Sequence, residues 1–526
     1  MYISGMEGNS VLYIENSLTN RTTFLEYDKT TVGPINDECG LEQGGVSSSD
    51  LYKLYNNDQL TQAQQSRLGV DMGGALVLSA VGQADDAALL SNDIHKLKQI
   101  LGLVLEYCLK FNVHLSTSKT KLLKLSPARQ STFVPFNPIT INGEEIEFVD
   151  QAEHVGVVRS TLGNMPNILL RTAAFKKALG SVISCGLARG ARSNPAASLQ
   201  ILSTYGTPVL MSGLASLVLS PKEISCVDQQ YKRTLQNIMK ISVSSPSSLV
   251  YFTAGSLPGT AILHLRQLSL FGMICRIRND PLNQHARQIL LTASHNQHSW
   301  FVQVRNLLQQ YQLPHPFHLL DHPSTKEEFK KLAKAKVVDF WESKLRAEAS
   351  YLPSLAHFHP QFFSLNSPHR LWTTAGHKPY EVAKARIQLL LLCSQYPCGS
   401  RTRHWSLENR HGYCSFSTCL ENTIVETPEH LLLHCPAYNN TRNSLVALCL
   451  RLKNPVSYFL VVSNLLSNSP QGILQLLLDC SSLPEVILAA QHNGDQIYND
   501  LFYIGRTWCF SIHRERMKRL GRWNFH

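Results

Sequence analysis

Ala75-Leu76-Val77-Leu78-Ser79-Ala80-Val81-Gly82 runs into Gln83-Ala84-Asp85-Asp86 and then Ala87-Ala88-Leu89-Leu90. Two apolar runs flank a short polar step bearing two acids, which predicts strand, tight turn, strand. Hard cations such as Mg²⁺ take oxygen ligands, and two-metal phosphoryl transfer needs clustered carboxylates on a rigid support. Asp85 and Asp86 supply one or two of those ligands, not a whole site. Asp is also an ordinary turn residue, because its side chain bonds nearby backbone, so the hairpin alone leaves both readings open.

The neighbouring segments extend the pattern. Upstream, Gly40-Leu41-Glu42-Gln43-Gly44-Gly45 lets the backbone approach a ligand closely. Ser49 or Asp50 is placed to cap the helix that follows. Downstream, Ile94, Leu97, Ile100, Leu101, Val104, Leu105 and Cys108 recur at helical spacing between Asp93 and Phe111. Phe111-Asn112-Val113-His114-Leu115 then leads to Ser118-Lys119-Thr120-Lys121. Phe148-Val149 and His154-Val155-Gly156-Val157-Val158 read as short strands.

This order resembles the reverse transcriptase of non-LTR, LINE-like retrotransposons, over roughly residues 1–440. Gly40, Gln43 and Gly44 are similar to the "G-x-x-Q-G" palm motif beside the template and incoming nucleotide. Gln83 to Asp86 resemble the "x-A-D-D" metal hairpin, with Gln83 where an aromatic is frequent. Lys119 and Thr120 are similar to the end of "N-x-x-K-T", with Ser116 in the Asn position. His154 to Gly156 resemble the "x-L-G" strand that leads to the thumb, Val155 standing for Leu. The resemblance implies Asp85 and Asp86 as Mg²⁺ ligands and catalytic groups, and Lys119 near the nucleotide phosphates. It implies Gly40, Gln43, Gly44 and Gln83 near substrate or template, and RNA template with DNA primer or target as partners.

In that family the first catalytic Asp lies on a separate palm strand well upstream of the Gln-Gly motif. The 39 residues before Gly40 read instead as a connecting helix and hairpin. These are Val11-Leu12-Tyr13-Ile14 and Thr23-Phe24-Leu25-Glu26-Tyr27, with Asp28 as a turn residue and Asp37 and Glu38 just before Gly40. The expectation is a 5′-truncated polymerase without its fingers, impaired because two-metal geometry needs the missing carboxylate. The alternative is a non-catalytic nucleic-acid-binding protein.

Charge is divided unevenly. Residues 1–150 hold 11 Lys and Arg against 18 Asp and Glu, a net −7. The remainder holds 38 against 20, a net +18 within a total of +11. Such a basic region can bind phosphate backbone through counterion release. The 13 cysteines are scattered and odd in number, unlike the even framework of a small secreted domain. The N-terminus lacks a basic region followed by an apolar core. No apolar run reaches the length of a span, Ile201 to Leu219 being broken by Tyr205-Gly206-Thr207-Pro208 and Ser212-Gly213. A nuclear or cytoplasmic, reducing setting is expected, with no membrane partner.

Residues 160–395 read as mostly helical. Ile168 to Ile183 is one segment, with Arg171, Lys176 and Lys177 expected on its exposed side. Asn194-Pro195 and Pro221-Lys222-Glu223 open two more. Trp300 to Leu313, Lys326 to Ala347 and Tyr380 to Cys393 continue the pattern, and Lys326 to Lys331 reads as a solvated face.

The second constellation is Cys414-x4-Cys419-x10-His430-x4-Cys435. Three thiolates and an imidazole match a structural, four-coordinate Zn²⁺ site. Thr427 is placed to cap a short helix with Pro428 at its first position, and Pro436 to stop it. Leu431, Leu432 and Leu433 would cover the site, while His434 is the competing ligand. Glu426 to Pro436 resembles the zinc-binding segment that follows the polymerase in the same retrotransposons. Arg401, Arg403, His404, Trp405, Arg410 and His411 around it suit stacking on unpaired bases and contact with phosphate. Arg506, Trp508, Arg514, Arg516, Lys518, Arg519, Arg522 and Trp523 repeat the theme. A basic amphipathic helix there is equally compatible with packing on an acidic palm surface.

The expected fold class is α+β. A partial palm, an antiparallel sheet with helices, spans 1–158. A helical thumb-like region spans 159–300, a helical linker 301–395, the zinc knuckle 396–440 and a basic helical region 441–526.

Overall fold

The structure, a computed structural model, describes residues 7–37, 40–42, 45–73, 76–125, 138–161, 163–184, 193–277, 281–293, 295–296, 298–403, 411–449, 470–493 and 495–521. Gln43, Gly44, Glu38, His404, Trp405, Arg410, Arg522 and Trp523 lie outside the described residues. The chain forms two compact units. One comprises Met1–Gly163 with Asn279–Ser294, the other Asn164–Arg278 with His295–His526. Helix and sheet are both present, and the class is α+β.

The first unit begins with helix α1 (Gly8–Leu18) and the hairpin of β1 (Arg21–Tyr27) and β2 (Thr30–Asp37). Its two-residue turn is Asp28-Lys29, both at positive φ, as a tight hairpin requires. Helix α2 (Ser48–Gln65) follows. Its N-cap is Ser47 without a side-chain bond. Ser49 and Asp50 therefore sit inside the first turn and do not cap it. Asp50 still places a negative charge at the positive end of the helix dipole.

Strands β3 (Val70–Gly73) and β4 (Leu76–Leu78) pair, then β5 (Ala80–Gln83) and β6 (Asp86–Leu89). Helix α3 (Ile94–Lys110) starts at Asp93, whose carboxylate accepts from the backbone N–H of His95 and Lys96. Those bonds lower the Asp93 pKa. It buries Ile100, Val104 and Cys108 from the face its spacing predicts, and Tyr107 besides. Tyr107 donates to the Tyr55 carbonyl at 2.7 Å and Tyr55 to the Phe111 carbonyl at 3.1 Å, tying α2 to α3. Beneath α3, Ile139, Ile141 and Ile146 form a small core with Ile94, Leu101, Leu105, Leu115 and Leu122.

β7 (Lys121–Leu123), β8 (Thr140–Ile141), β9 (Glu144–Glu145) and β10 (Glu147–Val149) come next, then β11 (Gln151–His154) and β12 (Val157–Ser160). The described strands pair in twos, antiparallel except for β7 with β10. The stretch from His154 to Val158 is thus not one strand. Val155 and Gly156 form the turn of the β11–β12 hairpin, at φ 49° and 70°. A β-branched residue is strained there. Val155→Asn, which gives the Asn-Gly pair such turns favour, should stabilise this unit by about 1 kcal/mol. Chemical denaturation of the two proteins checks this; equal or lower stability would contradict the strain.

The second unit is helical. Met165–Ser184 leaves Lys176 and Lys177 exposed as expected, but Arg171 is half-buried, with Nε shielded from solvent. Asn194 caps Pro195–Ile201, accepting from Ala196 N. The helix then widens into a π turn, Leu202–Gly206, just before Pro208, which has no N–H to continue an α ladder. Pro221–Met239 opens on a reciprocal capping box between Ser220 and Glu223. Trp300–Gln310, Lys326–Ser350 and Pro379–Leu392 fall where the periodicity places them. Among the described residues no single helix is long and apolar enough to cross a membrane.

The C-terminal helix, Gln496–Arg519, packs against Pro379–Leu392 and Pro470–Asp479. Packing, one of the two readings its composition allows, takes up part of its basic side. Arg506 is buried, with Nε donating to Glu381 at 2.7 Å. Trp508 and Arg516 are buried as well. Arg514, Lys518 and Arg519 are exposed, and Arg519 pairs with Glu515 at 2.9 Å.

Candidate metal centre

The knuckle is built from a short loop, a wide helical turn and two glycines. The Cys414 N–H donates to the Ile424 carbonyl at 2.8 Å and Ile424 N–H to the Cys419 carbonyl at 3.1 Å. Tyr413 bridges Val425, so the loop closes on itself with both thiols turned inside. Gly412, at φ 71°, abuts Gly399 so closely that a Cβ on Gly399 would lie 2.4 Å from the Gly412 carbonyl oxygen. Only glycines permit that approach.

Thr427 Oγ1 accepts from the His430 N–H at 3.1 Å, the expected cap. The turn that follows, His430–His434, is a π turn, closed by Cys435 N–H donating to the His430 carbonyl at 2.8 Å. In a regular α-helix, residues five apart differ by about 140° around the axis. The wider π turn narrows that angle and presents His430 and Cys435 to one centre.

Cys414, Cys419, His430 and Cys435 are all buried, and their four ligand atoms lie within 4.8 Å of one another. The Sγ of Cys435 is 3.9 Å from that of Cys414 and 3.8 Å from that of Cys419. Tetrahedral Zn²⁺ with bonds of about 2.3 Å to sulfur separates two thiolates by about 3.8 Å. The cluster therefore has the donor set, burial and spacing of a zinc site, and it can hold a metal ion. Buried His430 Nε2 has no hydrogen-bond partner. Without a cation the thiols must share protons. Hydrogen bonding to Cys435, with burial, pushes Cys414 up to about 12, while the same bond lowers Cys435. A dication removes that conflict by favouring every thiolate at once.

His434, the competing ligand by sequence, is exposed and faces Glu429 at 3.4 Å. Leu431 and Leu432 are buried, and Leu433 is half-buried. Groups that spacing does not reveal brace the ligands. Glu426 is fixed by Arg516, whose Nε and Nη2 donate to its two oxygens at 3.0 and 2.8 Å, and by Gly399 N–H at 2.7 Å. Arg442 donates to the Cys435 carbonyl, and Trp508 Nε1 to that of Leu432 at 3.3 Å. On the outside, exposed His411 stacks on half-buried Tyr413 with ring centroids 5.2 Å apart, and Arg519 lies over Phe416 at 5.9 Å. Arg401 is half-buried and donates to the Ser394 carbonyl.

Gly40, Gln83, Asp85, Asp86 and Lys119 lie in the first unit. Gln83 pairs with Asp86 across the β5–β6 hairpin, and Ala84, at φ 54°, makes the turn with Asp85. The two acids and Gln83 thus share one tip and are exposed. Tyr52 is close enough that burial, and then the charge of Asp85, raises its phenol. Gly40, at φ 95°, accepts from Arg21 at 2.7 Å, and Lys119 is exposed on the turn at 117–119. Among the described residues no third acidic, His or Cys side chain joins Asp85 and Asp86 as a metal-holding group.

No protein-family model matches the chain, and no curated protein matches it.

Proposed function

We propose that this protein is derived from the reverse transcriptase of a non-LTR retrotransposon. On this reading the first unit belongs to a palm, the helices after it correspond to a thumb, and the basic, zinc-bearing part binds RNA or DNA. What supports the binding role is the intact Cys414, Cys419, His430 and Cys435 cluster within a region of net charge +18. A metal there would fix the knuckle and its exposed His411–Tyr413 pair, leaving the chemistry of recognition to stacking and to nearby cations. Asp85 and Asp86 would be Mg²⁺ ligands. Two exposed carboxylates on one turn give too little charge and too few fixed oxygens to clamp two Mg²⁺ ions and a triphosphate.

The test combines two assays on the purified chain. Labelled single-stranded RNA and DNA should bind with steep salt dependence, unaffected by Asp85→Ala and lost in Cys414→Ser. Primer extension on an RNA template with Mg²⁺ should yield no product. Binding that ignores salt or survives the Cys414 substitution would overturn the binding role. Extension abolished by Asp85→Ala would overturn the impaired polymerase.

A further inference from the structure

A groove in the helical unit lies far in sequence from the knuckle. Its volume is about 530 Å³, and its lining includes Trp341, Lys344, Glu348, Tyr351, Asp228 and Ser247. Helices Ser247–Ala254 and Gly259–Arg276 both begin behind a proline N-cap, Pro246 and Pro258, which has no side-chain acceptor. Carboxylates from elsewhere take over that role. Glu348 accepts from Ser247 N–H at 3.2 Å and Ser248 N–H at 3.1 Å. Asp228 accepts from Thr260 N–H at 3.0 Å and Tyr251 O–H at 3.1 Å. Both acids are therefore held in place, and each oxygen keeps acceptor capacity.

The aromatic wall is equally fixed. Trp341 Nε1 donates to Tyr311 Oη at 3.1 Å, which anchors the indole. Lys344 lays its ammonium over the Trp341 ring at 4.7 Å. Tyr351 stands at the rim, 85% exposed. Lys232 donates to Ser247 Oγ at 3.0 Å, and its charge also faces Glu348 and Asp228, so an incoming cation shares the two acids with it. A rigid indole face, a mobile-length lysine already resting on it and two oriented carboxylates are the recognition elements for a flat organic cation. The guanidinium of arginine fits all three. It stacks on indole, tolerates desolvation better than ammonium and forks two donors toward a carboxylate.

We propose that this groove binds an arginine side chain of a peptide partner, the guanidinium displacing Lys344 from Trp341 and facing Glu348 and Asp228. The experiment uses the full chain, labelled with ¹⁵N, and N-acetyl-arginine methylamide as probe. The chain's six tryptophans give indole signals, and Trp341→Phe assigns the relevant one. The probe should shift the Trp341 indole signal, and its uncharged citrulline counterpart should not. Lys344→Ala, at an exposed site, should tighten binding about two- to fivefold by removing the resident cation. Tyr351→Ala should weaken it by a similar factor. A citrulline response equal to that of arginine, an unchanged affinity in Lys344→Ala, or no shift at Trp341 would each overturn the proposal.

Discussion

Cys414→Ser should abolish stoichiometric zinc in the purified protein and expose the backbone of residues 411–438 to hydrogen exchange. The segment's own apolar core is short, chiefly Leu431, Leu432 and Tyr438. What holds it is a loop closed by backbone hydrogen bonds, the braces at Glu426, Leu432 and Cys435, and a four-ligand centre in which the Cys435 sulfur lies 3.8 and 3.9 Å from the other two. Structural zinc sites contribute apparent free energies of about 10–16 kcal/mol in isolated finger peptides. Removing one thiolate forfeits much of that and leaves two buried thiols and an imidazole without a cation. Chelation should have the same effect on unmodified protein. His434→Ala should retain zinc, because that ring lies outside the cluster, beside Glu429. One equivalent of zinc surviving in Cys414→Ser, or lost in His434→Ala, would show that the ligand set is different.

Glu426→Ala should destabilise the helical unit by about 3–5 kcal/mol, through the charge it leaves behind more than through the bonds it removes. The Glu426 and Arg516 side chains are only 3% and 8% exposed. Arg516 stays ionised without its partner, its pKa driven up in the intact pair by Glu426 against the opposing effect of burial. An unpaired guanidinium in that place has no water to turn to. Glu426→Ala with Arg516→Met should therefore recover much of the loss, since an apolar side chain of similar length fills the site without charge. Thermal unfolding of the single and double variants checks both statements. A single variant within 1 kcal/mol of the parent, or a double variant no better than the single, would contradict them.

Much of this arrangement is legible before any coordinates. The α3 helix follows from its apolar spacing and Asp93, the cap at Asn194 from its neighbour Pro195, and the metal cluster from ligand type and spacing. Local chemistry decides these, so local sequence suffices. Other features rest on partners remote in the chain. Arg506 and Arg516 look like surface cations because Glu381 and Glu426 lie 125 and 90 residues away. Val155 was legible as a strand residue by propensity, yet tertiary pairing holds it in a turn it disfavours. The choice of His430 over His434 rests on a π turn, which no residue pattern in the segment announces.

That π turn sets how the chain length between His430 and Cys435 can vary. Deleting one residue, Leu433 for example, would let the segment settle into ordinary α-helix with histidine and cysteine four apart, about 40° around the axis and still on one face. Inserting one would separate them by six, about 120° to the other side, and carry a ligand away from the centre. The spacer works as a one-sided ruler, lenient to loss and intolerant of gain.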